Sequence, residues 1–130
     1  MPKKNNYTAI NIQYPISQKI IYGEKKIETR KYALPNKYLD KELLLMETPG
    51  KTQQFKSRII AIIKFTECFQ YQNKKQFYAQ ENLHCVSKNS DWAWQEGEKW
   101  GWRVEVIKII QPAITFLGKK GIVYTNNIII

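Results

Sequence analysis

The sequence predicts a strand-dominated α+β domain, a mixed β-barrel with a few short helices packed at its side. Three observations carry that prediction. β-branched and aromatic residues recur in separate stretches, only two short segments show helical spacing, and 130 residues make one domain that buries roughly two thirds of its unfolded surface. No internal repeat or linker is visible, so residues 1–130 are read as one unit with residues 1–6 as a flexible leader.

Each element follows from local pattern. Tyr7–Ile12 is β-rich and forms the first strand, which Pro15 ends. Ser17 is placed to cap a short helix with Ile16, Ile20 and Ile21 on one side, and Gly23 suits the left-handed position that stops it. Lys31–Asp40, with Pro35 and Asn36, reads as a loop before a strand at Glu42–Glu47. Thr48-Pro49-Gly50-Lys51 closes that strand. It lacks the earlier glycine and fixed spacing of a phosphate loop, which excludes nucleoside triphosphate binding there. Ser57–Phe69 is the core strand, since Ile59, Ile60, Ile62 and Ile63 fill both of its faces. Asn73–Leu83 is helical in pattern, with Asn73 as its cap and Phe77 and Leu83 in its seam. Val104–Ile110 is a strand, and Gly118–Tyr124 turns into the last one.

The chemistry concentrates in Tyr22–Lys31, which carries one of only three arginines. If Ile27 opens a strand, Glu28 and Arg30 share a face, and a charge-assisted pair can fix the guanidinium fork for a planar or anionic ligand. A solvated lysine-rich turn with an ordinary ion pair fits the same spacing. Were that pair accessible, Glu28→Gln would cost binding and not stability. Trp92, Trp94, Trp100 and Trp102 fall within eleven positions. Trp102 belongs to the core by default, while Trp92 and Trp94, in a polar loop, are the stacking candidates.

Charge and composition bound the partners. A formal charge of +10 and a pI near 9.6 favour an anionic partner, with RNA first. The lysines run from Lys3 to Lys120 without forming one patch, as in an AT-rich coding bias. Cys68, Cys85 and the single His84 cannot supply four zinc ligands, so neither metal nor cofactor is expected. The cysteines read as buried free thiols and His84 as a satisfied structural histidine. The longest aliphatic run is Ile59–Ile63, and no signal-peptide core follows the basic start, which reads as a cytoplasmic protein off the membrane.

Gly23, Lys25, Glu28 and Arg30 match the G-x-K-x-x-E-x-R signature of the ASCH domain family, within the PUA-like superfamily. Gly101-Trp102-Arg103-Val104-Glu105, followed by Ile110, Pro112, Gly118, Gly121 and Ile122, resembles the family's closing pattern. The resemblance spans about Tyr7 to Tyr124, with Tyr124 near where the family often carries tryptophan. It implies a PUA-like mixed β-barrel that binds RNA or a nucleobase in a cleft around Lys25, Glu28 and Arg30, with Trp92 and Trp94 as stacking surfaces. A branch of the family resembles small amidohydrolases acting on acetylated cytidine, and another has ribonuclease activity. For the first, the resemblance places Lys25 at the catalytic lysine and Glu81 at the glutamate. Glu28 stands where that branch has threonine, and Thr29 points to the opposite face of a strand. Binding is therefore the expected function, and hydrolysis the alternative.

Overall fold

A computed structural model of the chain describes residues 4–50, 55–116 and 123–130. Met1–Lys3 of the leader, Lys51 of the turn, and Gly118, Gly121 and Ile122 of the closing pattern lie outside the described residues. The elements are β1 (Asn6–Gln13), α1 (Ile16–Ile21), β2 (Ile27–Arg30), a 3₁₀ turn (Asn36–Tyr38), β3 (Glu42–Thr48), β4 (Arg58–Gln70), α2 (Lys74–Ala79), α3 (Glu81–His84), β5 (Trp100–Thr115) and β6 (Tyr124–Ile129). Among the described residues six strands make one mixed sheet in the order β2-β5-β4-β3-β1-β6, in which only the β1–β3 pair of strands is parallel. No helix among the described residues is long and apolar enough to cross a membrane.

Both faces of the central strands are covered, which is why β3 and β4 read as unbroken apolar runs. Ile10, Ile12, Leu43, Leu45, Ile63, Phe65 and Trp102 make one core layer; Ala9, Leu44, Met46, Ile59, Ile62 and Ile128 make the other. Trp102 is fully buried, the core position the sequence predicts for it. A third cluster, Tyr71, Phe77 and Val86, lies under α2.

The strand-dominated architecture stands, but the sheet does not close into a barrel through any pairing of β6 with β2 among the described residues. All four residues of β2 pair with β5, from Ile27↔Arg103 to Arg30↔Trp100, and the chain then leaves the sheet toward Pro35. The sheet nonetheless curls far enough for Arg30 Nη2 on β2 to lie 3.4 Å from the Asn11 carbonyl on β1. A side chain, not a ladder, bridges this seam.

Four local expectations are corrected. Asn5 and Asn6 are not leader: Asn5 exchanges backbone hydrogen bonds with Ile130, and Asn6 pairs with Ile129, because the returning β6 gives them partners. Ser17 does not cap α1. The helix begins at Ile16, so Ser17 lies inside its first turn, and its hydroxyl donates instead to the buried carboxylate of Glu47, 2.6 Å from Oε2. Asn73 does cap, accepting from the Gln76 N–H at 2.8 Å, but the helix predicted over 73–83 breaks at Gln80 into α2 and α3. There Gln80 Oε1 accepts from the Tyr71 hydroxyl at 2.6 Å, an anchor no periodicity reveals. Finally, β5 runs well beyond 104–110, because β4 offers it partners along most of its length. The register jump between Ile59 and Ala61, which face Ile114 and Ile109, absorbs Pro112.

Gly101 shows what holds β2 against the sheet. A Cβ there would meet Phe69 Cζ at 2.6 Å and Ile27 Cγ2 at 3.1 Å. Gly101→Ala is expected to destabilise the fold by about 1–3 kcal/mol through overpacking. Urea denaturation reads this as a lower midpoint at constant slope; an unmoved midpoint means Phe69 yields freely.

Candidate functional site

The segment before β2 is stitched between two helices. Gly23, at φ +80°, leaves α1 in the left-handed region where a side chain is strained. Lys25 N–H then bonds the Lys19 carbonyl at 2.9 Å and Lys26 N–H the Leu83 carbonyl at 2.7 Å. The Lys25 side chain is thereby carried inward, where its ammonium donates to the carbonyl of His84, the last residue of α3. Such a carbonyl has no partner within its own helix, and a cation is its natural complement.

Glu28 lies between two cations. Its Oε1 is 3.7 Å from Lys25 Nζ and its Oε2 is 3.2 Å from Arg30 Nη2, with both Glu28 and Lys25 almost wholly buried. Burial pulls the Lys25 ammonium below its ordinary lysine value, and Glu28 opposes that pull. For Arg30, burial acts downward, but Glu28 and Tyr32 outweigh it and raise the guanidinium further. The fork is held in place: its centre lies 5.6 Å over the Trp102 ring, Nη1 donates to the Tyr32 hydroxyl at 3.3 Å, and Nη2 reaches Glu28 and the Asn11 carbonyl. Tyr124 lines the same seam, stacked on Tyr38 at 4.5 Å. Its hydroxyl is buried with no hydrogen-bond partner among the described residues, and burial pushes its pKa up to about 12.

The predicted residues are thus divided. Lys25, Glu28 and Arg30 form one connected chain. Glu81 is exposed at the start of α3, forming no ion pair with Lys25. Trp92 and Trp94 separate: Trp92 is 49% exposed, while Trp94 is half-buried with its ring 5.6 Å from Phe77. The loop backbone around them turns instead of extending, so their two-residue spacing does not put them on one face.

Lys99 has no counterpart in the sequence reading. It is buried, donates to the Trp92 carbonyl at 3.0 Å and lies 5.5 Å from the Phe77 ring centre. Burial lowers its pKa, and the charges of Lys31 and Lys25 lower it further. A lysine beside Glu98 in a polar loop carries no signal of burial; only the fold of 91–99 over α2 creates it.

His84 is a structural residue, as its isolation in the sequence suggests. Its Nε2 donates to the Phe77 carbonyl at 2.7 Å, its Nδ1 accepts from the Val86 N–H at 3.0 Å, and its ring stacks on Phe77 at 4.1 Å. This bonding assigns the neutral tautomer, and burial pushes its pKa below the ordinary value near 6.5. The unfolded chain therefore takes up this proton first. The stabilisation is complete above the unfolded value and is lost as pH falls below it. Unfolding free energy should drop as pH falls below about 6.5, and His84→Gln should flatten that decline in pH-dependent urea denaturation. An unchanged slope in the variant would assign the loss to other groups.

No family model and no curated protein matches the chain. Solved structures do match. The crystal structure of ASCH from Zymomonas mobilis is 13% identical, with a TM-score of 0.68 over 92% of this chain and 86% of that one. A serine-to-alanine variant of that protein gives 12% identity and a TM-score of 0.62 over 92% and 87% of the two chains. A tyrosine-to-phenylalanine variant gives 14% and 0.59 over 82% and 76%. At such low identity the likeness speaks for the fold. The open, curled six-stranded sheet of this chain is the fold of an ASCH domain.

Proposed function

We propose that the chain is an RNA- or nucleoside-binding domain whose ligand enters the open seam between β2 and β1. The observation that carries this is the buried Lys25–Glu28–Arg30 chain. Glu28 and the Trp102 face fix the guanidinium plane, and the three hydrogen bonds it makes leave two of its five N–H groups for a ligand. Tyr124 adds an unpartnered hydroxyl close enough to feel Arg30's charge. Planar, hydrogen-bonding and negatively polarised groups fit this lining, and a nucleobase on a phosphate backbone offers all three. Exposed Trp92 supplies a surface for a neighbouring base.

Titration with a short single-stranded RNA at two salt concentrations tests the reading. Affinity should fall as salt rises, by roughly 0.7 log unit per log unit of salt for each phosphate neutralised. Arg30→Lys, which keeps charge but not the fork, should weaken binding about ten-fold with the fold intact. Absence of binding at low salt removes RNA as the ligand.

One observation favours the hydrolase alternative, in which Lys25 and Glu81 are catalytic. Burial lowers the Lys25 pKa, as a lysine base requires. The exposed position of Glu81 offers that reading no second group beside Lys25.

A further inference from the structure

Lys25 and Arg30 share Glu28, but Lys99 has no acidic side chain within 4.0 Å of its ammonium among the described residues. The undescribed residues, 1–3, 51–54 and 117–122, contain no aspartate or glutamate that could supply one. Adjacent Glu96 and Glu98 are exposed, and Glu98 turns to Trp100 Nε1 at 3.4 Å. Its position next to the Lys25 site follows from shared neighbours: Arg30 pairs with Trp100 across the sheet, so Lys31 and Lys99 flank that pair, and the Phe77 ring under the Lys99 ammonium stacks on His84, whose carbonyl holds Lys25. One carbonyl and one ring face are its only partners among the described residues, for a side chain just 6% exposed. A buried ammonium so poorly compensated is costly, and the usual compensation is an anion. Space for one exists: a depression of about 280 Å³ lined by Lys31, Gln95, Gly97 and Lys99, with Glu96 and Glu98 in its wall. That is close to the lower end of small-ligand sites, about 300 Å³.

We propose that Lys99 and Lys31 form a phosphate subsite beside Lys25–Glu28, so that the ligand is a phosphorylated nucleoside and not a bare base or nucleoside. This rests on the binding reading of the Lys25–Glu28–Arg30 site for its nucleoside part alone. The phosphate comes from a free mononucleotide or from an RNA backbone; both present the same dispersed negative charge to the two ammonium groups.

The test separates the two claims. Cytidine, cytidine monophosphate, a short oligocytidylate and inorganic phosphate are titrated by calorimetry into wild type, Lys99→Met and Lys99→Arg. In parallel, acetylation of Lys99 by acetic anhydride, read by mass spectrometry, is followed with and without phosphate. Wild type should prefer the monophosphate over cytidine by about ten-fold or more. Lys99→Met should lose that preference, Lys99→Arg should keep most of it, and phosphate should protect Lys99 from acetylation. Preference for oligocytidylate over the monophosphate assigns the phosphate to RNA, and the reverse assigns it to a free nucleotide. If cytidine adds nothing but phosphate still protects Lys99, the subsite stands without the nucleoside reading. If cytidine binds and folded Lys99→Met keeps the phosphate preference, Lys99 is a strut for the Trp92 loop and the proposal falls. If Lys99→Met does not fold, an unprotected Lys99 in phosphate-treated wild type overturns it equally.

Discussion

Glu28→Gln should lower the unfolding free energy by about 3 kcal/mol, a larger effect than its side-chain volume would suggest. The amide keeps the shape but removes the charge that two cations share, one at 3.7 Å and one at 3.2 Å. Glu28 is 5% exposed and Lys25 4% exposed, so solvent screens neither. An accessible pair would have lost binding with little loss of stability; burial reverses that expectation. Neutralising Lys25 as well should recover part of the loss, because Lys25→Met with Glu28→Gln leaves only partly exposed Arg30 without its carboxylate. A double-mutant cycle in urea isolates the coupling, which for contacting charges is about 0.5–3 kcal/mol. A loss under about 1 kcal/mol for the single variant would show that the introduced amide and water replace the ion pair with little penalty.

How much of this was legible follows from the range of each interaction. The Glu28–Arg30 pair is two residues apart on a strand, so spacing alone predicted it. The same holds for Asn73, whose cap needs only three following residues, and for the apolar runs of β3 and β4. Lys25 was singled out by a motif, but its burial depends on the His84 carbonyl 59 positions away. Ser17 shows the same limit, since α1 starts one residue before it and its hydroxyl's partner lies 30 positions away. Trp92 and Trp94 part company because the chain turns at 91–92, which no residue spacing announces. Lys99 left no trace, because one lysine among many becomes exceptional only when a loop folds over it. Among the described residues β2 is a four-residue edge strand that pairs with β5 on one side and carries no ladder on the other. Arg30 crosses from that unladdered edge to the Asn11 carbonyl on β1, a contact between two strands that no pattern within either of them announces.

Wild-type protein incubated with acetylated cytidine should release no cytidine. Amide hydrolysis at Lys25 needs an unprotonated amine free to reach a reacting atom, and a second group to carry the proton onward. Burial supplies the first half, by lowering the Lys25 pKa. Geometry withholds the rest, because the ammonium is engaged by the His84 carbonyl and Glu28. Glu81 stays exposed on α3, and the group beside the ammonium is the carboxylate of Glu28 and not a hydroxyl. Protonation fits this arrangement, since a neutral amine would leave both acceptors without a charged donor. Lys25→Arg is then no neutral exchange: the longer fork must be fitted into a pocket closed by α3, and overpacking of about 1–3 kcal/mol is expected. Release of cytidine by wild type that Lys25→Met and Glu81→Gln both abolish would reverse the ranking. It would require Glu81 to swing in with substrate, and Lys25 to exchange its hold on α3 for the reacting amide.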